Sequence, residues 1–247
     1  TNNLTDKLLY SARNVDVLLP YFVLGRQDHN PRTDRSEAVK KRDKGKDVGY
    51  RNILKDLEAR DVRRILTFTP HFDRSGEGSQ VYREIGRGIE VYRLPGVSAL
   101  ARYFRERMSP GMMVINPDMA AGKLAVEFAR LTEAKFRYGF EKKRKTVIEV
   151  ETEGKLDAEG SDVVVVDDIA SSGSTLVGAI DSLENPGTIY LAVVHPVLPD
   201  IPTPDKGYRL IKSLLSEGRI GDFVATDTID SEFSKASIVE DVVNYYR

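Results

Sequence analysis

The chain reads as an α/β protein made of two doubly wound parallel-sheet domains. Three observations carry that expectation. Val163–Val166 is a run of four β-branched residues, as expected of a strand buried on both faces in the middle of a parallel sheet. Strand-like and helix-like segments alternate along the chain, the pattern of repeated βα units. Small, polar and charged residues gather just after several of the strand segments, where an open α/β sheet binds its ligands. With 247 residues, 40% of them hydrophobic, there is material for two modest cores. The turn Ser109-Pro110-Gly111 marks the expected boundary between a domain at 1–109 and one at 110–247.

In the first half, Leu4–Arg13 places Leu4, Leu8 and Ala12 at helical spacing, and Val15–Phe22 follows as a strand with Pro20 near its end. Gly25-Arg26-Gln27-Asp28 comes next, and an Arg and a Gln at a strand end are equipped to grip a phosphate and a base edge. Residues 31–46 carry seven basic and three acidic residues with almost no apolar content, so a surface loop is expected there rather than a nucleic-acid arm. Tyr50–Leu57 reads as a helix and Arg64–Phe68 as a strand ending in Thr69-Pro70-His71-Phe72. Ile89–Leu94 is a strand closed by Pro95-Gly96, and Val97–Arg107 is a helix with Leu100, Tyr103 and Phe104 at core spacing.

The second half opens with a strand over Met112–Asn116, a turn from Pro117 to Gly122, and a helix over Lys123–Leu131; Asp118 stands where a helix N-cap belongs. Lys135–Phe140 is a strand, the basic run Glu141–Lys145 a solvated turn, and Thr146–Glu151 the return strand. The buried strand then ends in Asp167 and Asp168, followed by Ser171, Ser172, Gly173, Ser174 and Thr175 and an apolar helical pattern over Leu176–Leu183. A loop between a strand end and a helix N-terminus is an anion site, because free N–H groups and the helix dipole point into it. Carboxylates beside it suit sugar hydroxyls or magnesium. Thr188–Val194 is a strand ending in His195-Pro196, Leu210–Leu215 a helix, and Asp222–Thr226 a strand. The last helix, Val239–Tyr246, is expected to turn Val239, Val242, Val243 and Tyr246 to the core.

Composition narrows the function classes. A net charge of −1 gives no general attraction to nucleic acid or membrane. There is no cysteine, so disulfides and thiolate metal sites are excluded. No apolar run has the length of a membrane-spanning helix and no leader pattern is seen, so a cytoplasmic location is expected.

Val163–Leu176, VVVVDDIASSGSTL, resembles the phosphoribosyl pyrophosphate motif of type I phosphoribosyltransferases and ribose-phosphate diphosphokinases. The resemblance implies that Asp167 and Asp168 face ribose hydroxyls and that Ser171, Ser172, Gly173, Ser174 and Thr175 hold the 5-phosphate. This motif alone does not separate transferase from diphosphokinase. PYFVLGRQD is similar to a diphosphokinase segment whose Arg and Gln contact ATP, which carries over to Arg26 and Gln27. His71 matches a family histidine at the Mg-ATP site, although the surrounding TPHFDRSGEG departs from the family wording. Asp118 matches an Asp that meets magnesium and ribose hydroxyls, with Ala120 and Ala121 in place of the usual glycines. Lys142 and Arg144 match a basic run that acts on the reacting phosphates.

The resemblance therefore implies a homo-oligomeric, magnesium-dependent ribose-phosphate diphosphokinase that uses ATP and ribose 5-phosphate. Lys142 and Arg144 would be its catalytic cations, and His71 and Asp118 would meet the metal. The family has further residues before the point that aligns with Leu4, so the first domain is expected to lack its N-terminal part. The alternatives are a phosphoribosyltransferase that consumes phosphoribosyl pyrophosphate and a non-catalytic regulatory paralogue.

Overall fold

A computed structural model describes residues 15–23, 49–71, 78–82, 88–107, 109, 111–137, 142–144, 150–152, 155–198 and 207–247. The expected helix Leu4–Arg13, Arg26, Gln27 and the basic stretch 31–46 lie outside these residues. The chain divides into two compact units, residues 1–95 and 96–247. Sequence reading set the division at the Ser109 turn. It falls earlier because the helix that precedes that turn packs on elements of the second unit.

The first unit holds β1 (Asp16–Leu18), α1 (Gly49–Ala59), β2 (Arg64–Phe68), β3 (Gly78–Tyr82) and β4 (Ile89–Leu94). Its sheet order is β1-β2-β4-β3, parallel except for the antiparallel edge strand β3. Sequence reading missed β3, a short polar segment with little apolar alternation. Helix α1 buries Tyr50, Leu54 and Glu58, spaced one turn apart, and its apolar residues join Phe22, Ile65, Ile89 and Val91 in one core.

The second unit begins with α2 (Gly96–Arg105), whose buried Val97, Leu100, Ala101 and Phe104 follow helical spacing. Phe104 makes edge contacts with Phe128 and Tyr190, at centroid distances of 5.6 and 6.1 Å. Then come β5 (Met113–Ile115), a 3-10 turn (Met119–Ala121), α3 (Gly122–Thr132) and β6 (Lys135–Arg137). Glu133, with φ of 57°, ends α3 by sending its N–H back to the Ala129 carbonyl. The hairpin β7 (Lys142–Arg144) and β8 (Val150–Thr152) and the short β9 (Leu156–Asp157) follow. The chain continues through β10 (Val163–Ala170), α4 (Ser174–Asp181), β11 (Leu183–Glu184) and β12 (Ile189–Pro196). It closes with α5 (Gly207–Ser216), β13 (Asp222–Thr226), β14 (Ser234–Ala236) and α6 (Val239–Tyr245).

Six of these strands form one parallel sheet in the order β14-β13-β12-β10-β5-β6. Strand β10 is central as expected, with Val163 to Val166 fully buried between β12 and β5. On one face Leu176, Ala179, Ile180, Ile211 and Leu214 from α4 and α5 pack on Val163, Val165, Leu191 and Phe223. The other face carries α2 and α3. Each large aliphatic side chain so buried contributes about 1.5–3 kcal/mol before conformational entropy is counted.

Two sequence expectations are corrected here. In the described part of the basic run, Lys142–Arg144 is strand β7 rather than a turn, paired antiparallel with Val150–Thr152. Helix α6 does not turn an apolar stripe inward, for none of its residues is buried, and Val239, Val243 and Tyr246 are exposed. It is held instead by polar contacts, with Arg102 of α2 bonded to Asp241, to the Ser237 carbonyl and to Glu240. Among the described residues no helix is long and apolar enough to cross a membrane.

Candidate active site

Chain order and sheet order diverge at one place in the second unit. From β5 the chain moves outward to β6, then returns to the other side of β5 as β10 and continues through β12 and β13. The loops that leave β5 and β10 therefore diverge, opening a crevice at the carboxyl ends of these neighbouring strands. Asp118 follows β5, and Asp167, Asp168 and Ser171–Thr175 lie at the end of β10 and beyond it.

The loop after β5 is built around Asp118. Its Oδ1 accepts the N–H groups of Ala120 at 2.9 Å and Ala121 at 3.2 Å, so it caps the 3-10 turn that leads into α3. Asn116, buried at the strand end, donates from Nδ2 to the Asp118 carbonyl at 2.6 Å. These contacts fix the direction of the Asp118 carboxylate and engage only one of its oxygens; among the described residues Oδ2 accepts no hydrogen bond.

Asp167 is buried, and its Oδ1 accepts the N–H of Asp168 at 2.9 Å. Burial pushes its carboxyl well above the usual range, and repulsion from the Asp168 and Asp118 carboxylates pushes it further. Three acids from two loops thus share one electrostatic field, which a cation or hydroxyl donors would relieve. Beyond them Gly173 adopts a left-handed conformation, φ of 78°, at the N-cap of α4 and offers no side-chain cap. Its substitution by any residue with a Cβ would be strained by that φ. The hydroxyls of Ser172 and Ser174 stand 3.1 Å apart. Ser171, Ser172 and Thr175 are half-buried and Ser174 is exposed. A left-handed glycine, clustered hydroxyls and an eight-residue helix starting at Ser174 make an anion cradle.

His195, at the end of β12, lies buried with Nδ1 2.9 Å from the Thr228 hydroxyl. Thr226 and Thr228 both donate to the Val194 carbonyl, at 2.6 and 3.0 Å. The contact between the His195 ring and the Thr228 hydroxyl braces the strand end.

In the first unit, His71 is half-buried in the turn after β2. Thr69, two residues earlier, has φ of 34°, uncommon for a β-branched side chain, and its N–H donates to the Leu94 carbonyl at 3.1 Å. Thr67 is fully buried on β2, with no hydrogen-bond partner for its hydroxyl among the described residues. His71 belongs to the first unit and Asp118 to the second. Lys142 and Arg144 stand on one strand, separated by a single residue. Among the described residues no three His, Cys, Asp or Glu side chains converge to hold a metal by themselves. Sequence reasoning did not single out Asn116; a polar residue next to a strand end was the available signal.

The phosphoribosyl transferase domain family matches residues 113–214, which include both loops of the crevice. The chain is 30% identical over 235 residues to the ribose-phosphate pyrophosphokinase of Methanopyrus kandleri, covering 94% of this chain and 70% of that enzyme. It is also 30% identical over 235 residues to ribose-phosphate pyrophosphokinase 1 of Archaeoglobus fulgidus, covering 93% and 70%. The crystal structure of phosphoribosylpyrophosphate synthetase from Mycobacterium smegmatis has the same fold, with a TM-score of 0.67 at 22% identity over 98% of this chain and 74% of that one. Alike to these relatives over nearly its whole length, the chain belongs to the ribose-phosphate pyrophosphokinase family of enzymes.

Proposed function

We propose that the protein transfers the diphosphoryl group of ATP to the 1-hydroxyl of ribose 5-phosphate, giving phosphoribosyl pyrophosphate and AMP. The likeness to ribose-phosphate pyrophosphokinases over nearly the whole chain supports this reaction, and the pairing of an anion cradle with a carboxylate cluster at one switch point supports a sugar-phosphate site. A sugar phosphate needs both: amides and hydroxyls for the phosphate, acceptors for the ring hydroxyls. The 5-phosphate sits in Ser171–Thr175, and Asp167 and Asp168 accept from the ribose hydroxyls.

The donor set also fits magnesium. Carboxylate oxygens are hard ligands, and the repulsion that raises Asp167 is the field a cation relieves. With no closed protein cage among the described residues, magnesium would be held largely by substrate phosphates, and Asp118 in the second unit and His71 in the first are each proposed as a protein contact to it. When bound, it neutralises phosphate charge. The chain's own residues do the rest. Arg26 and Gln27 bind ATP, and the crevice aligns the 1-hydroxyl with the β-phosphorus. Lys142 and Arg144 stabilise the charge that spreads over the transferring group and the departing AMP.

The test is direct. Purified protein given Mg-ATP and ribose 5-phosphate forms AMP and phosphoribosyl pyrophosphate in equal amounts. Pyrophosphate release that depends on an added nucleobase and phosphoribosyl pyrophosphate, with no AMP formed, identifies a transferase instead.

A further inference from the structure

The first turn of α5 lies against the anion cradle at two points. Gly207, its first residue, is buried, and a Cβ there would stand 1.8 Å from the Ser171 carbonyl oxygen and 3.0 Å from the Ser171 carbonyl carbon. One helical turn on, the Leu210 side chain packs so closely that a Cβ on Gly173 would stand 2.9 Å from Leu210 Cδ2. Gly207 and Leu210 thus brace both ends of the stretch Ser171–Gly173. The helix itself is anchored elsewhere. Ile211 and Leu214 are fixed in the core, Tyr208 and Lys212 both bond to Glu232, and the Tyr208 ring lies 5.9 Å from that of Phe233.

We propose that α5 is the positioning element of the phosphate-binding loop, with Gly207 and Leu210 as positioning residues that set affinity for the sugar phosphate. This rests on the reading of Ser171–Thr175 as the 5-phosphate site. A glycine at 207 is required because the obstacle is backbone, which cannot rotate aside as a side-chain tip can. Any side chain there moves the Ser171 carbonyl and with it the amides and hydroxyls that follow. A loop pulled from one charge-assisted hydrogen bond loses roughly tenfold to a hundredfold in affinity.

The experiment compares Gly207→Ala, Leu210→Ala and Leu210→Met with the parent, alongside the loop variants Ser172→Ala and Thr175→Ala. Folding is followed by circular dichroism and thermal melting, and KM is measured for ribose 5-phosphate and for ATP. The proposal expects Gly207→Ala and Leu210→Ala to raise KM for ribose 5-phosphate by roughly tenfold or more, with KM for ATP and kcat little changed, and Leu210→Met to restore the parent value. If the loop variants raise that KM while folded Gly207→Ala and Leu210→Ala do not, the positioning role is refuted and the phosphate site stands. If the loop variants leave it unchanged, the phosphate site falls and the positioning role with it. Should Gly207→Ala fail to fold, the Leu210 pair decides alone: equal loss in both substrates, or no recovery with Met, overturns the proposal.

Discussion

Asp118 has two roles that substitution separates. As a cap, its Oδ1 binds two backbone N–H groups at the head of the 3-10 turn and α3. As a charge, it contributes to the repulsion on Asp167 and would meet the cation. Asp118→Ala removes both. Loss of a cap costs about 1 kcal/mol, which in a domain the size of the second unit lowers Tm by about 2–4 °C. Asp118→Asn keeps an oxygen in the capping position, and Asn and Asp cap almost equally well. Its lost charge forfeits a helix-dipole interaction of about 0.3–1 kcal/mol, and relief of the repulsion on Asp167 opposes that loss. The Asn variant should therefore melt close to the parent, while Ala melts below it. Turnover behaves differently, for both variants lack the carboxylate and both should lose roughly 10²-fold in AMP formation. Thermal melts and an AMP-release assay on the same preparations supply both readings. An Asn variant with parental turnover would refute the charge role, and one as unstable as Ala would refute the capping argument.

Asp167→Asn should stabilise the ligand-free protein at pH 7. The folded state holds the Asp167 proton more tightly than the unfolded chain does, mainly because the group is buried. The stability this gives is complete below the unfolded pKa of about 3.9 and is lost as pH rises through the raised folded value. Urea midpoints of variant and parent should thus diverge as pH rises, the variant being the more stable; a parent more stable at pH 7 contradicts this. Thr67→Val removes the unpartnered hydroxyl and should gain about 1–3 kcal/mol; a loss of stability, measured by urea unfolding, would mean the hydroxyl is satisfied. Lys142→Ala should lower kcat by about 10²–10³-fold while ribose 5-phosphate still binds by calorimetry, and unchanged turnover would remove Lys142 from the chemistry. Arg102→Leu should release α6 from α2, seen as faster amide exchange within Val239–Tyr245 alone; unchanged exchange there would assign the attachment to other contacts.

The central strand was legible because four β-branched residues in succession suit only a strand covered on both sides. The strand–loop–helix unit of the proposed cradle was legible because it is local: strand, acids, glycine, hydroxyls and helix follow one another within fourteen residues, Val163–Leu176. The brace from α5 was not, since nothing about Gly207 in the sequence names Ser171 as its neighbour. The α6 expectation failed because valine spacing records amphipathicity and not what covers it; here Arg102 supplies the attachment. The edge strand β3 was missed because pairing with β4, rather than its own pattern, makes it a strand.

The hairpin β7–β8 is paired only with itself among the described strands. Its ladder is thus distinct from that of the six-stranded sheet. Displacing the hairpin as a unit breaks no pairing in the sheet. In such a design the groups proposed to meet the reacting phosphates can be retuned by insertion, deletion or exchange of a cassette. The acids and the proposed cradle instead follow β5 and β10, strands paired within the six-stranded sheet.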